Sequence, residues 1–496
     1  MITKHKEHIF LIIFILIWFI FCLLILHYNK SEFFPSLIAD GQTRAVLGAK
    51  WIHKPFLMNN NYSRNSVWLP LQYWLIGLGL KIFYDLYWVP IITNLLLSAG
   101  SIWLLYEICW MFFENRLICL IEVLLISFLP FFTWLTISGM SEPVSFFFII
   151  AIFFFYFKWL KEINRLSFLL FLSLMQLFAN MTRNENWGLS FIFTLVIIIT
   201  VLYNKEIFRA KNKVIMLLVL VFPWIFPLLW MIMQYSEFHT FLLYYNLAKN
   251  DPFVTNSILE RFLLFVRTFS YPSSVIVILA LFEGILIVFI KKEKNLKFIL
   301  YYVFVFLYTL VLLSVFLIGA MTGFRERITI ILILLFSPFC SKLIYDIFLF
   351  GRWKPALQCC FKGIIAISLS VFIVNNISLT YSFPSFSSRE METLCTIGQR
   401  LKVLWEREIL SNKEVILIKP KEGDEILSYN VISAYSNHPL NIYVVEKWMA
   451  EKDLEALIHK SKIAVIHLAF YQAYLGKIQE GKEIFNIQDY KILLLK

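Results

Sequence analysis

Apolar positions along this chain come in long, nearly unbroken runs separated by short polar breaks. Runs of about 17 to 24 apolar residues are long enough to cross a bilayer as helices. About eleven are visible, near residues 8–27, 87–111, 117–134, 143–158, 166–181, 187–203, 214–235, 271–290, 298–319, 327–350 and 361–381. They predict a mainly α, polytopic membrane helix bundle. The first run, Ile9 to Leu26 behind Lys4-His5-Lys6-Glu7-His8, is too long for a signal peptide and no small-x-small cleavage site follows it. It reads as an uncleaved first span. Leu69 to Phe83 is shorter and carries Pro70, Gly77 and Gly79, so its pattern fits either a short span or a helix lying along the interface.

Three polar stretches interrupt this pattern: a loop from Tyr28 to about Leu86, a loop from Tyr235 to Ser270, and the tail after Tyr381. Residues 1–381 therefore read as one membrane domain and 382–496 as a small extramembrane α/β domain. In the tail, Met391 to Ile409 has helical periodicity and Val415-Ile-Leu-Ile418 is a buried-strand pattern. Leu454 to Ile458 reads as helix, and Ile463 to Leu468 and Tyr490 to Leu495 as strands. There is no P-loop, no GxGxxG after a strand and no evident internal repeat.

Composition supports the membrane reading. Of 496 residues 60% are apolar and 16% charged, against about 25% charged in soluble proteins. The net charge of +12 invites a nucleic-acid reading, but its placement speaks for topology. If 69–83 does not cross, the basic loops at Arg116, Lys158/Lys161/Arg165, Lys205/Arg209/Lys211/Lys213, Lys291/Lys292/Lys294/Lys297 and Arg352/Lys354 all fall on the N-terminal side. That obeys the positive-inside rule throughout. If it did cross, each loop would flip outside. The expectation is therefore an interfacial helix at 69–83, a cytoplasmic N-terminus and an extracytoplasmic tail, in a multi-pass protein of a bacterial inner membrane. From residue 382 onward basic and acidic residues balance, so the tail adds nothing to the excess. Of seven cysteines, Cys395 alone lies in the polar tail, which excludes a disulfide within it. No spacing suggests a metal site. The Asn-x-Ser/Thr matches at Asn61, Asn180 and Asn376 are too common a pattern to place the source membrane.

Candidate chemistry lies at the outer ends of the spans. Asp40 sits in Ile38-Ala-Asp-Gly-Gln-Thr-Arg44, ahead of an amphipathic stretch from Thr43 to Ile52. An Asp there reads either as a helix cap or as a functional carboxylate. Trp68-Leu-Pro-Leu-Gln-Tyr-Trp74 carries interfacial aromatics. Ser138-Gly-Met-Ser-Glu-Pro143 places Glu142 at a helix start, where a carboxylate suits the positive helix end. Met181-Thr-Arg-Asn-Glu-Asn-Trp187 puts Arg183 and Glu185 at the membrane edge, to pair with each other or to bind substrate. Thr322-Gly-Phe-Arg-Glu-Arg327 brings Arg325 and Arg327 to the side with fewer cations, where Glu326, lipid head groups or a bound phosphate would account for them.

Taken in order, these features resemble the GT-C superfamily of polytopic glycosyltransferases. Within it they most resemble glycosyltransferase family 39, the protein O-mannosyltransferase and aminoarabinose transferase group. The features are an acid in the first outer loop, a W-x-P-L segment, a Glu-Pro turn, a T-R-x-E turn and a late outer Arg. The resemblance covers residues 8–350. It implies that Asp40 is the catalytic base and that outer basic residues bind a lipid phosphate, with Arg44, Arg183, Arg325 and Arg327 as candidates beside the acids Glu142 and Glu185. Many protein mannosyltransferases carry a second acid after the first; here Gly41 follows, which speaks against protein mannosylation more than against glycosyl transfer. The implied donor is a polyprenyl-phosphate sugar. The acceptor is a hydroxyl of a glycan, lipid or protein, the product is inverted, and no divalent metal or other cofactor is needed. Two other readings compete: a transporter or flippase of lipid-linked sugars, using the same face and cations, and a non-catalytic assembly subunit, using the outer tail for partner binding. The first expects ionisable residues deep in the spans and a pair of broken helices. The chain offers Glu107, Glu122 and Glu283 near the inner ends, and one span interrupted by Pro223 and Pro227.

Overall fold

The computed structural model describes residues 2–28, 40–58, 68–163, 165–203, 213–241, 257–268, 274–286, 296–317, 326–349, 389–407, 410, 415–419, 425–444, 461–467, 482–487 and 490–494. The membrane part runs through α1 (Ile2–Tyr28), α2 (Asp40–His53), α3 (Leu71–Ile82), α4 (Trp88–Phe113), α5 (Arg116–Ser127), α6 (Pro130–Ile137) and α7 (Glu142–Lys161). It continues through α8 (Leu166–Asn180), α9 (Asn186–Tyr203), α10 (Lys213–Phe238), α11 (Ile258–Thr268), α12 (Ser274–Ile285), α13 (Leu296–Leu317) and α14 (Glu326–Leu349).

Helices occupy ten of the eleven expected span positions; the run at 361–381 lies outside the described residues. Among the described residues six helices are long and apolar enough to cross a membrane, and α5 with α6 makes a seventh if counted together. The expected third span, 117–134, is not one helix: α5 and α6 meet at a 62° bend. Pro130 is the physical reason, because it supplies no N–H and forces the residue before it out of the helical region. Leu129 is extended, at φ −71° and ψ 117°. The freed Ser127 carbonyl accepts the Trp18 indole N–H from α1 (2.9 Å) and the Thr133 hydroxyl (3.2 Å).

In hydrocarbon every backbone polar group needs a partner, and each proline inside a span is served accordingly. Pro223 and Pro227 leave the carbonyls of Val219 and Pro223 without the usual N–H four residues on. The Ser173 hydroxyl donates to the first (3.1 Å) and Asn180 Nδ2 to the second (2.8 Å). Both come from α8, seven residues apart and so on one face. Asn180 is fully buried, a packing residue rather than a glycosylation acceptor. Pro338 in α14 frees the Leu334 carbonyl, which accepts from Ser337 Oγ (2.7 Å). Ser337 and Ser341 also donate to the buried Glu122 on α5 (2.7 Å for Ser341). Glu107 lies 3.7 Å from His8 of α1.

The segment expected to lie along the interface forms the short helix α3, below spanning length. It packs on α2 through two glycines: a Cβ on Gly48 would meet the Gly77 nitrogen at 3.1 Å, and one on Gly77 the Gly48 oxygen at 3.0 Å. Trp51 stacks on Trp74 across this pair. The amphipathic stretch expected at Thr43–Ile52 is instead covered nearly all round, since Gly41 through Ala49 are all buried. The covering elements are α3, α4 and a helix of the tail.

That tail contains α15 (Arg389–Glu406), α16 (Glu425–Ser436) and a five-stranded mixed sheet. Its strands are β1 (Val415–Lys419), β2 (Ile442–Val444), β3 (Ser461–His467), β4 (Lys482–Ile487) and β5 (Tyr490–Leu494), in the order β2-β1-β3-β5-β4. β1 pairs in parallel with β2 and β3, and β5 runs antiparallel between β3 and β4. The helix and strands expected at 391–409, 415–418, 463–468 and 490–495 are present within a few residues. The helix expected at 454–458 and the boundary near residue 381 lie outside the described residues.

Candidate active site

Polar groups converge where α2 begins, α6 ends, α7 begins and α8 turns into α9. Asp40 is the first residue of α2 and Gly41 the second. A Cβ placed on Gly41 would stand 2.6 Å from the Ser138 carbonyl oxygen, so the start of α2 lies directly on the turn 138–141. Two side chains from neighbouring helices hold that turn. Gln72 Nε2 of α3 donates to the Gly139 carbonyl and Asn94 Nδ2 of α4 to the Met140 carbonyl, both at 2.9 Å. Gly139 turns with φ 70°, a conformation glycine adopts without a side-chain clash.

The turn leads into Glu142, buried at the first residue of α7 with Pro143 behind it. Arg183, from the α8–α9 connection, joins it: Nη1 donates to Glu142 Oε1 at 2.8 Å and Nη2 to Glu185 Oε1 at 2.9 Å. This triad of one cation and two carboxylates is largely shielded from water, where such hydrogen bonds are strong. The connection is further fixed by Asn186, whose Nδ2 contacts Ser145 Oγ (2.9 Å), the Ala179 carbonyl (2.8 Å) and Thr182 Oγ1 (3.0 Å). The Leu71 N–H of α3 donates to the Met181 carbonyl (3.1 Å). Arg44 stands one turn after Asp40 on α2, so the two share a face. It is buried, with its guanidinium carbon 4.4 Å above the Trp68 ring.

The structure thus gathers Asp40, Arg44, Glu142, Arg183 and Glu185 at one end of the bundle. Arg325 lies outside the described residues. Of Arg327 only its backbone place is described, at the second residue of α14. Trp68 and Trp74, expected as interfacial anchors, make contacts inside the protein: Trp68 holds Arg44, and Trp74 donates to the Phe56 carbonyl (3.2 Å). Sequence reasoning missed Gln72, Asn94 and Asn186. For Gln72 and Asn94 the available signal was a lone amide within an apolar helical run, which is costly in a membrane unless it is used; Asn186, in the polar turn 182–186, carried no such signal. Among the described residues no group of three or more His, Cys, Asp or Glu could hold a metal ion.

No protein-family model matches the chain, and no curated protein matches it by sequence. Solved structures do. ArnT from Cupriavidus metallidurans bound to undecaprenyl phosphate superposes with a TM-score of 0.60 at 10% identity, covering 95% of this chain and 97% of that one. The same protein in the apo state gives a TM-score of 0.59 at 10% identity over the same shares. At this identity the likeness shows architecture, and it spans the bundle and tail together. The chain is a multi-pass membrane protein with the GT-C fold.

Proposed function

We propose that this protein is a membrane glycosyltransferase of the family 39 kind. It moves a sugar from a polyprenyl-phosphate donor to an acceptor hydroxyl at the end of the bundle where Asp40 lies. The observation that carries the reading is the seating of Asp40–Gly41 on the turn that launches Glu142, within a fold shared end to end with an undecaprenyl-phosphate-binding protein. Asp40 removes the proton from the acceptor hydroxyl. The acceptor oxygen forms a bond to the anomeric carbon from the face opposite the phosphate, the carbon–oxygen bond to the phosphate breaks, and the product is inverted. The leaving phosphate is already a stable anion. It needs cations rather than a general acid, so one carboxylate suffices where a glycosidase uses two. The reading requires no divalent metal.

Arg44, on the face of α2 that Asp40 shares, is the leading described cation for the phosphate, with Arg325 and Arg327 as further candidates. Arg183 fits a different role. Its fork is taken by two carboxylates, so it joins the starts of α7 and α9 and holds Glu142 and Glu185 in place for acceptor hydroxyls. The positive-inside pattern orients this end outside the cytoplasm, with the acceptor a cell-envelope glycan, lipid or protein.

The test is Asp40→Asn in purified protein, supplied with polyprenyl-phosphate sugars and with extracts of envelope glycans and lipids, products being read by mass spectrometry. The expected outcome is a correctly folded protein with transfer reduced by about a thousandfold or more, the scale of losing a general base and its orientation. Near-normal transfer would remove Asp40 from the base role.

A further inference from the structure

Among the described residues, the tail packs on α2 and is also joined to the α3–α4 corner by a small latch. α16 ends at Ser436, and Asn437 follows with φ 63°, a left-handed conformation that asparagine tolerates better than most residues. Its side-chain amide faces the α3–α4 corner and binds two backbone groups there. Oδ1 accepts the Leu86 N–H at 3.0 Å, and Nδ2 donates to the Tyr84 carbonyl at 3.1 Å. The corner itself is built to receive this: Asp85 Oδ1 caps α4 by accepting the N–H groups of Tyr87 and Trp88, both at 2.8 Å, while Leu86 is fully buried. Beside the amide, Tyr435 meets Tyr87 with ring centroids 6.2 Å apart. About two turns back along α16, the Tyr429 ring receives Lys50 Nζ of α2 at 4.6 Å.

These contacts fall on the elements that build the site. α2 begins with Asp40, α3 supplies Gln72 and α4 supplies Asn94, the two amides that grip the turn 138–140. The corner held by Asn437 is the connection between α3 and α4. Fixing it fixes both grips, and α16 packs on α2 as α3 and α4 do.

We propose that Asn437 is a positioning residue for sugar transfer: through the α3–α4 corner it locks the tail onto α2 and so sets where the Asp40 carboxylate stands. This rests on the glycosyltransferase reading for its consequence, but not for the latch itself. The described contacts of the residue 437 side chain with the bundle are its two hydrogen bonds. Asn437→Gly removes both and keeps the left-handed backbone free of strain. Asn437→Asp keeps an acceptor for the Leu86 N–H but sets an oxygen against the Tyr84 carbonyl, so it stands between wild type and Asn437→Gly.

The experiment compares the three full-length proteins in two ways. Hydrogen–deuterium exchange over residues 40–53 reads the latch without any substrate. Local opening of α2 is expected to become about tenfold more frequent in Asn437→Gly, with Asn437→Asp between. Turnover on a polyprenyl-phosphate sugar reads the consequence: kcat is expected to fall about tenfold and the donor KM to rise about threefold, because α2 carries both the base Asp40 and the phosphate candidate Arg44. Unchanged exchange in α2 overturns the latch. Faster exchange with unchanged kcat overturns the positioning role. A wild-type protein that transfers no sugar overturns the functional reading instead, and the exchange comparison still decides the latch.

Discussion

Gly41 shows how one residue type can exclude a chemistry. Its absent side chain is where the resemblance led one to look for a second acid, and the structure gives the reason none is there: the Ser138 carbonyl would lie 2.6 Å from any Cβ, and the Gly139 backbone is next. Backbone cannot swing aside as a flexible side chain would. Gly41→Ala should therefore lift the start of α2 off the turn, lowering stability by about 1–3 kcal/mol, the usual cost of overpacking. Asp40 would move with it, so transfer should fall by about tenfold or more. Thermal melting in detergent beside turnover checks this, and wild-type values in both would show that the contact yields. Arg183 teaches the complementary lesson. Along the chain its visible partner is Glu185, two residues away, and that pairing is present. Its other partner, Glu142, is 41 residues distant. Periodicity places each of them at the outer end of a span, but only folding joins two such ends. A cation read from the sequence as available for a phosphate is thereby already held by carboxylates.

At the scale of helices, prolines have two outcomes in this protein, and the difference lies in the neighbours. Pro130 breaks its run into α5 and α6 with a 62° bend, although the run reads as one continuous span. Pro223 and Pro227, read from the sequence as an interruption, sit inside a single helix from Lys213 to Phe238. α10 stays whole because α8 carries Ser173 and Asn180 at the two places where carbonyls are left over. Apolar runs were legible because a bilayer demands them; which prolines break a helix was not, because that depends on side chains of another helix. The pairing can be measured as a coupling. Asn180→Ala should destabilise the wild type by about 1 kcal/mol or somewhat more, the range for buried polar contacts within membranes. In a Pro227→Ala background the restored N–H serves the Pro223 carbonyl, and the same substitution should cost distinctly less. Asn180 also accepts from Ser190 Oγ at 2.9 Å, but that loss is common to both backgrounds and cancels in the cycle. Equal costs in the two backgrounds would mean that the Asn180–Pro223 contact contributes nothing.

Across the whole molecule, the charge pattern and the contacts agree on one point: the tail and the gathered polar residues belong at the same end of the bundle. The positive-inside count placed both on the side with fewer cations, and α16 is found packed on the helix that Asp40 begins. The element that makes this contact was not legible. Glu425 to Ser436 mixes Ser, Asn and Tyr among its apolar residues, and its apolar face matters only once α2 is beside it. That junction contains Lys50, and burial lowers its pKa from 10.5 to about 8. The sign of the effect follows from proton counting. With the tail docked, Lys50 is neutral above about pH 8; undocked and hydrated, it stays protonated up to its ordinary 10.5. Between these values the undocked form binds more protons, so docking strengthens as pH rises through that window. Below about 8 both forms are charged and this group contributes no slope. The Tyr429 ring, at 4.6 Å from the ammonium, favours the charged form and narrows the window, by about 1 kcal/mol for a partly shielded cation–π contact. Exchange protection of α2, normalised at each pH to the rate of the unstructured peptide, should therefore rise between about pH 8 and 10 in the wild type. In Lys50→Met, which keeps the aliphatic stem and drops the charge, protection should already be high at neutral pH and show no such rise. A slope that persists unchanged in Lys50→Met would assign the pH dependence to another group at the junction.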